Sequence, residues 1–274
     1  MITYHHEKYI KQAIESVLDQ ITDFEFELVI ANDNSPDKTN EIVTEIMATH
    51  ANGFKIKYLN NVTNLGMMPN FVYAIKNCKG QYIAMCEGDD YWIDNYKLQK
   101  QVDFLDQNKG YSICFHLANV EKNGVIEKDE ITVKSNQTTT IKDLSKGNYM
   151  HTCTVVYRNN LFKRFPKYFE KAPVGDYYLH LLNSRFGEIY CINEVMSVYR
   201  LHPESYWSSK KQSERTEIWI DFLENIKSNF NYKVQYDIQE QIDKLNYVYE
   251  EKTPKKRKKI LFNLFIKDLL NFDK

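Results

Sequence analysis

The chain has 274 residues, a length at which one catalytic domain with a smaller extension can bury a full hydrophobic core. Thirty-six basic and 37 acidic residues leave a formal net charge of −1, which argues against nucleic-acid binding through a large positive surface. No run of about 18 apolar residues is present, so we expect no segment to span a bilayer.

The first 90 residues alternate between two apolar patterns. Some segments repeat apolar residues on one helical face, and others are short apolar runs that end at polar residues. Helices that alternate with buried strands predict a mostly parallel α/β sheet. Residues 1–4 are interpreted either as a short first strand or as the end of a longer one. The other predicted elements are helices at 9–18, 37–49 and 68–78 and strands at 26–31, 54–59 and 81–86.

The pattern changes after residue 110 and again after residue 210. Strands and one helix are mixed up to about residue 200, and the chain is helical in character from about 212 onward. We therefore predict a catalytic domain at 1–210, divided at about residue 110, and a helical C-terminal extension at 211–274. The predicted elements are strands at 111–120, 152–157 and 188–200 and a helix at 175–186.

The last 20 residues combine a basic block with an amphipathic segment. Residues 255–259 are all basic, and 260–272 are apolar except for Asp268 and for Asn263, Lys267 and Asn271, which recur every four positions. Such a helix is typical of an anchor on an anionic membrane surface. Two alternatives stay open, namely packing on the catalytic domain and a homodimer surface.

Two polar segments directly follow predicted strands, at Asn32–Ser35 and at Glu87–Asp90. Ligands of parallel α/β sheets bind outside the carboxyl ends of the strands, so these segments predict the functional site. Three carboxylates at one strand end repel one another unless a cation lies between them. Oxygen ligands favour Mn²⁺ or Mg²⁺, usually shared with substrate phosphates. The alternative interpretation of Glu87–Asp90 is a solvated acidic turn.

Several motifs in the same order make the chain resemble the family two glycosyltransferases of the GT-A fold. The resemblance covers residues 1 to about 207 and is greatest to bacterial enzymes that build capsules, cell-wall polymers and lipopolysaccharide. It implies a Rossmann-like central sheet flanked by helices, a nucleotide-sugar half at 1–110 and an acceptor half at 111–210. The motifs are Thr3 to Gln20, Glu27 to Thr39, Asn64 to Asn70, Glu87 to Trp92, Gly175–Asp176 and Val198 to His202.

The resemblance also assigns residues to the donor pocket. Asp33 falls where the family's acidic residue meets the nucleobase, typically uracil, although the usual Asp-Asp pair reads Asn32–Asp33 here. The segment from Asn64 resembles the loop that closes over the nucleotide. We expect the following residues to bind the nucleotide sugar: Thr3, Tyr4, Glu7, Asp33, Asn64, Gly66, Asn70, Glu87, Gly88, Asp89 and Arg200.

A divalent metal and a catalytic base follow from the same resemblance. Asp89, Asp90 and His202 are the expected metal ligands, and the spacing leaves open which of the two aspartates binds Mn²⁺ or Mg²⁺. His5 and His6 are expected to be peripheral. Asp176 falls where inverting enzymes keep the base that deprotonates the acceptor hydroxyl. The alternative for Asp176 is an N-cap of a helix that begins at Tyr177.

These assignments imply an inverting hexosyl- or N-acetylhexosaminyltransferase that uses a nucleotide diphosphate sugar, expected to be a UDP-sugar. The acceptor would be a glycan or a lipid-linked molecule in cell-surface polysaccharide synthesis. Five scattered cysteines without a CxxC pair favour a reducing compartment, so we expect a cytoplasmic protein, peripheral on the inner face of the membrane if the tail binds lipid. A non-catalytic nucleotide-sugar-binding or scaffold subunit is the alternative. A sugar nucleotidyltransferase is disfavoured because residues 3–8 lack a Gly-rich phosphate loop.

Overall fold

The computed structural model describes residues 1–132, 137–207 and 209–252. They form two compact units, one at Met1–Ser209 and one that begins at Lys210. The basic block and apolar segment at 255–272, predicted as a membrane anchor, lie outside the described residues. In the described part of the chain, no helix is both long enough and apolar enough to cross a membrane.

A three-stranded parallel sheet opens the first unit. Its middle strand is buried at all five positions, which explains the continuous apolar run before Asp33. The first helix buries five apolar residues on one face, as its sequence periodicity predicts. Sheet order is β1-β2-β3. The elements are β1 (Ile2–Thr3), α1 (Ile10–Leu18), β2 (Leu28–Asn32), α2 (Thr39–Thr49), β3 (Ile56–Asn60) and α3 (Met67–Asn77).

A second, mixed sheet continues from the first. The Gly88 amide donates to the Ile2 carbonyl at 3.0 Å, which joins the segment after the fourth strand to β1. The elements are β4 (Tyr82–Ala84), β5 (Tyr91–Trp92), α4 (Lys97–Gln107), β6 (Tyr111–Lys122), β7 (Val125–Lys128), β8 (Thr138–Thr139), α5 (Ile141–Leu144), β9 (Val156–Arg158), α6 (Gly175–Asn183) and β10 (Glu188–Leu201).

The long strands β6 and β10 form the parallel centre of this second sheet, over a register that runs from Glu188 opposite Tyr111 to Leu201 opposite Lys122. The main order is β4-β9-β6-β10-β5, with β7 on β6 and β8 on β10. Apart from β6 with β10, the neighbours in this sheet are antiparallel. β10 therefore places residues from late in the first unit at the edge where β5 and the acidic segment lie.

Up to residue 252, the second unit contains two α-helices, α7 (Gln212–Ile226) and α8 (Tyr232–Lys252). Phe222, Leu223 and Ile226 are buried on α7, and Ile238 and Ile242 are buried on α8. The helical character predicted from residue 212 is thus present in the described residues up to 252.

The predicted α/β fold class is confirmed, with three local differences. Residues 152–157 are not one strand, because Thr152–Thr154 forms a 3₁₀ turn and pairing begins at Val156. The helix predicted at 175–186 ends at Asn183. The helix α4 was not predicted from the sequence, because it buries the polar side chains of Lys97 and Gln101, which break the apolar pattern.

Lys97 provides a test of how this core tolerates a charge. Its side chain is fully buried. The Nζ atom donates a hydrogen bond to Gln101 Oε1 at 2.8 Å and lies 4.0 Å from the centre of the Trp92 ring. Burial lowers the pKa of Lys97 to about 8. The folded protein is therefore disfavoured by this ammonium at neutral pH and gains stability as the pH rises from about 8 toward the ordinary lysine pKa near 10.4.

We predict that Lys97→Met raises the melting temperature at pH 7 by a few degrees, since about 1 kcal/mol moves a domain of this size by roughly 2–4 °C. Differential scanning calorimetry from pH 6 to 10 measures the effect, and the gain should shrink above about pH 8. The exposed Lys122→Met is the matched control. A gain that does not change with pH would contradict this explanation.

Candidate active site

The candidate site lies at the carboxyl ends of the parallel strands, where the sequence predicts it. Asp33 directly follows β2, and the acidic segment follows β4. Gly88 sits so close to β1 that a Cβ atom there would lie 2.8 Å from Thr3 Oγ1 and 2.8 Å from His6 Nδ1. A side chain at this position would push the acidic segment away from β1. Glycine therefore allows the two strand ends to meet.

Hydrogen bonds to the Asp33 carboxylate hold the loop after β3 over the end of β2. Its side chain is 3% exposed and accepts hydrogen bonds from the amides of Leu65 at 2.7 Å and Gly66 at 2.9 Å. Asn64 donates to the Asp33 carbonyl at 3.1 Å, and Gly66 has a φ of 91°, which favours glycine. The structure thus brings Asp33, Asn64 and Gly66 together, as the sequence predicts.

The other residues predicted for the nucleotide end occupy different environments. Thr3 is 2% exposed, whereas Tyr4 is 47% exposed and free to contact a ligand from the surface. Glu7 accepts a hydrogen bond from the Lys38 amide at 3.0 Å, just before α2. Asn70 is 2% exposed and donates to the Ala31 carbonyl at 3.0 Å, so it holds α3 against β2. This geometry favours a structural role for Asn70 over ligand contact.

Glu87, Asp89 and Asp90 bring one carboxylate oxygen each within 4.8 Å of one another. Burial, followed by the charges of Asp89 and Asp90, holds the pKa of Glu87 well above its ordinary value. Burial and the charge of Asp89 do the same to the pKa of Asp90. Burial also raises the pKa of Asp89, but the hydrogen bond to His202 and the charges of His6 and His202 outweigh it and lower that pKa. Asp89 is therefore the member of the cluster that ionises first.

Arg200 holds the acidic segment in place. Its backbone amide donates to Asp90 Oδ1 at 2.8 Å, and its Nη1 donates to the Asp89 carbonyl at 2.9 Å. Its Nε donates to Glu121 Oε2 at 3.2 Å, and Nη2 donates to Gln12. The side chain is buried and three of its nitrogens have protein acceptors. These contacts favour a positioning role over the direct donor contact that the sequence predicted.

Two histidines lie against Asp89. His202 Nε2 is 3.0 Å from Asp89 Oδ2, and His6 Nε2 is 3.8 Å from the same oxygen. These three residues form a second group whose ligand atoms lie within 4.8 Å. The expectation that His6 is peripheral is wrong, because the positive φ of His5 turns the chain and carries His6 to the acidic segment. His5 itself is exposed, as expected.

The cluster meets the chemical requirements of a divalent metal site. Asp89 Oδ1 and Asp90 Oδ2 are buried and have no hydrogen-bond partner within the described residues. Buried carboxylate oxygens without partners are costly unless a cation satisfies them. Carboxylate oxygens suit Mn²⁺ or Mg²⁺. Asp89 belongs to both groups, so it is the central candidate ligand.

Asp176 lies in the first turn of α6, and the helix begins one residue before it. The N-cap position is Val174, so the alternative interpretation of Asp176 as an N-cap is wrong. Thr152 Oγ1 donates to Asp176 Oδ2 at 3.4 Å. Asp176 is close enough to the acidic segment for its charge to raise the pKa of Glu87. The structure thus brings Asp176 toward the predicted metal site.

Tyr199 is a neighbour of the site that the sequence did not single out. Burial, followed by the charges of Asp90, Glu87, Asp89 and Asp176, raises its pKa well above the ordinary value. Its ring stacks on the ring of His151, with centres 4.4 Å apart. His151 directly precedes the threonine that donates to Asp176. The available signal in the sequence was that Tyr199 directly precedes Arg200. The side of the sheet on which Tyr199 lies depends on the pairing of β10 with β6, which the sequence alone does not reveal.

Comparison with known proteins adds a family and a fold. The profile of the family described as "Glycosyl transferase family 2" matches residues 1–166. An uncharacterised protein of Mycobacterium tuberculosis is 34% identical over 223 residues, which cover 80% of this chain. The match covers 62% of that mycobacterial protein, so this chain spans about three fifths of its length.

A second relative carries a functional name. It is the Escherichia coli protein named UDP-Glc:alpha-D-GlcNAc-diphosphoundecaprenol beta-1,3-glucosyltransferase WfgD. This relative is 32% identical over 242 residues, which cover 86% of this chain and 90% of WfgD.

Among solved structures, residues 1–349 of S. aureus TarS in complex with UDP-GlcNAc align with a TM-score of 0.67. The alignment covers 90% of this chain and 71% of that structure at 19% identity. An identity this low supports a shared fold alone, and it confirms the predicted fold class.

The repulsion within the acidic cluster gives a stability prediction. The folded protein holds the pKa of Glu87 above its ordinary value. Without metal, the stability of the protein therefore falls as the pH rises from the ordinary pKa of a glutamate toward the raised pKa of Glu87. We predict that Glu87→Gln in the presence of EDTA raises the melting temperature by a few degrees at pH 7.5, where about 1 kcal/mol corresponds to roughly 2–4 °C. Calorimetry measures this gain, which should vanish near pH 4.

With added Mn²⁺, the melting temperature of the wild type should exceed that of Glu87→Gln, because the metal stabilises the wild type more than the variant. The exposed Glu45→Gln on α2 is the matched control and should follow the wild type under all conditions. A lower melting temperature of Glu87→Gln in EDTA would contradict the repulsion argument.

Proposed function

The chain belongs to glycosyl transferase family 2, and from this premise we propose that it transfers a sugar from a nucleotide diphosphate sugar to a hydroxyl group. The acceptor is a glycan or a lipid-linked molecule, and the product belongs to a cell-surface polysaccharide. One observation carries the proposal. The carboxylates of Glu87, Asp89 and Asp90 converge at one strand end, beside the buried Asp33 loop and within electrostatic reach of Asp176.

The donor is a UDP-sugar, and Asp33 accepts a hydrogen bond from its base. Within the described residues, Asp33 Oδ2 accepts one hydrogen bond, from the Gly66 amide, and so keeps a lone pair for a further donor such as the uracil imide. Tyr4 is exposed beside it and offers a ring for the base. The names of WfgD and of the TarS complex, which specify UDP-Glc and UDP-GlcNAc, support this choice and a hexosyl or N-acetylhexosaminyl group.

Asp89 is the principal ligand of a divalent metal, Mn²⁺ or Mg²⁺, with His202 and Asp90 as further ligands. A bound metal supplies positive charge where the leaving diphosphate becomes more negative. Of the two aspartates, Asp89 is favoured because it ionises first and is less buried than Asp90. Arg200 keeps both in place through the Asp89 carbonyl and the Asp90 carboxylate.

Asp176 removes the proton of the acceptor hydroxyl. The acceptor oxygen forms its new bond to the anomeric carbon on the face opposite the departing phosphate, and the nucleoside diphosphate takes the electrons of the broken bond. One displacement inverts the anomeric configuration, so no second carboxylate nucleophile is required. Thr152 holds one oxygen of Asp176, which orients the other oxygen toward the acceptor.

The acceptor side lies in the second half of the first unit, around Asp176 and Tyr199. The WfgD name specifies a lipid-linked acceptor, which supports a lipid-linked substrate here and a protein that works at the inner face of the membrane. A non-catalytic subunit that only binds nucleotide sugar is the alternative. Turnover separates the two, because only the enzyme releases nucleoside diphosphate.

The metal assignment predicts how donor binding responds to Asp89→Asn. This change keeps the size of the side chain and removes its charge, so UDP-GlcNAc or UDP-glucose should bind about tenfold more weakly or worse in the presence of Mn²⁺. Isothermal titration calorimetry with UDP, GDP and dTDP sugars measures the affinity and identifies the base. The exposed Asp103→Asn on α4 is the control.

Equal affinity in Asp89→Asn and in the wild type would contradict the metal assignment. If a folded wild type bound none of the three nucleotides, the proposed donor site would be wrong.

The base assignment predicts a different pattern for Asp176→Asn. Donor affinity should stay within about twofold of the wild type, whereas turnover should fall by about 10²–10⁴, the usual contribution of a positioned base. Nucleoside diphosphate release with a lipid-linked glycan acceptor measures turnover. Retained turnover in Asp176→Asn would contradict the assignment, and again Asp103→Asn serves as the control.

A further inference from the structure

A cavity of about 490 Å³ lies away from the acidic segment. It is lined by the end of α3, the end of β9, the following loop at 159–167 and the last turns of α6. β9 runs antiparallel to β4, with Arg158 opposite Tyr82 and Val156 opposite Ala84. The cavity is at the Arg158 end of this pair, whereas the acidic segment follows Ala84 at the other end. On α6, Asn183 at the cavity follows Asp176 by seven residues, or about 10 Å of helix.

Two buried polar groups on the wall of this cavity have no hydrogen-bond partner in the part of the chain that the structure describes. Tyr157 is 3% exposed and Asn183 is 1% exposed, and both line the cavity. The Tyr157 hydroxyl oxygen and the Asn183 amide nitrogen make no hydrogen bond within the described residues. Burial, with a smaller effect of Cys78, raises the pKa of Tyr157 well above its ordinary value, so the hydroxyl stays protonated. Both groups are therefore donors beside the cavity whose hydrogen-bonding capacity is not met within the described residues.

The rim of the cavity is positively charged. Lys76, Lys163, Arg164 and Lys167 line it and are exposed, and Glu170 is the acidic residue on the lining. In the described parts of the chain, none of these four cations forms a salt bridge. Four cations at the rim and two unsatisfied donors in the wall favour an anionic ligand with several acceptor oxygens. A phosphate group meets that requirement.

We propose that this cavity binds a phosphate group, with the four cations at the rim and the Tyr157 hydroxyl and Asn183 amide inside. The volume exceeds that of one phosphate, so the group is carried by a larger molecule, such as a phosphorylated glycan or a phospholipid headgroup. Phe162 and Phe165 also line the cavity and provide apolar surface for the rest of the molecule. The site does not depend on the proposed glycosyl transfer, because none of its residues belongs to the metal or donor site.

The test uses the full chain in EDTA, so that metal at the acidic segment does not contribute to phosphate binding. Calorimetry measures the affinity for inorganic phosphate and pyrophosphate, and co-sedimentation measures binding to phosphatidylglycerol and phosphatidylcholine vesicles. We expect Lys163→Ala/Lys167→Ala to weaken binding by about tenfold, while Lys142→Ala/Lys146→Ala, a pair of exposed lysines on and just after α5, changes it by less than about twofold. Asp89→Asn should bind phosphate like the wild type.

A second variant tests the inner groups without changing the charge. Tyr157→Phe should weaken phosphate or vesicle binding by about threefold to tenfold, because it removes a donor. It should also leave the free protein as stable as the wild type or more stable, since the lost hydroxyl had no partner. Unchanged affinity in Tyr157→Phe would overturn the proposed arrangement.

The ligand arms distinguish the source of the phosphate. Binding of phosphate or pyrophosphate that the rim variant weakens supports a soluble phosphorylated ligand. Binding only to phosphatidylglycerol vesicles, weakened by the same variant, supports a lipid headgroup. Absence of binding to every probe, or equal losses in the rim variant and its lysine control, would overturn the proposal. Equal binding to both kinds of vesicle, together with no binding of phosphate or pyrophosphate, would overturn it as well.

Discussion

The mutual repulsion of three clustered carboxylates, one buried and two half-buried, is the constraint on which the candidate active site depends. Glu87, Asp89 and Asp90 can share one strand end only if other groups offset their charge. Arg200 and His202 do so from the end of β10, more than 100 residues later in the sequence. The long β6 and β10 pair can therefore be understood as the scaffold that delivers these compensating groups to a site begun by the N-terminal strands.

The proposed nucleotide end of the site is held together differently, because its contacts come from nearby segments of the chain. Asp33 is held by amides of the loop that follows β3, so the loop and the end of β2 form one rigid corner before any ligand binds. Such preorganisation would lower the entropic cost of binding the proposed donor. The candidate site thus combines a proposed nucleotide corner, built from nearby segments, with an acidic centre that requires the complete first unit.

This difference explains what could be predicted from the sequence. The alternation of apolar patterns predicted the helices and strands of residues 9–86, because each of these elements buries one face or all of it. It could not predict α4, where Lys97 and Gln101 satisfy each other inside the core. Nor could it place His6, whose position needs a left-handed backbone at His5, or give Arg200 its partners, one of which is 188 residues away. Local patterns determine elements, whereas charge compensation depends on strand pairing.

The near-zero net charge conceals a separation of charge within the first unit. Carboxylates gather at one end of the β4 and β9 pair, and cations without salt bridges gather around the cavity at the other end. Because opposite charges at separate ends cannot neutralise each other at short range, each end attracts its own class of ligand. A cation with a diphosphate suits the acidic end, and a phosphate alone suits the basic end. Helix α6 touches both regions, with Asp176 at its start and Asn183 at its end, so one rigid element fixes the distance between the proposed base and the proposed phosphate group.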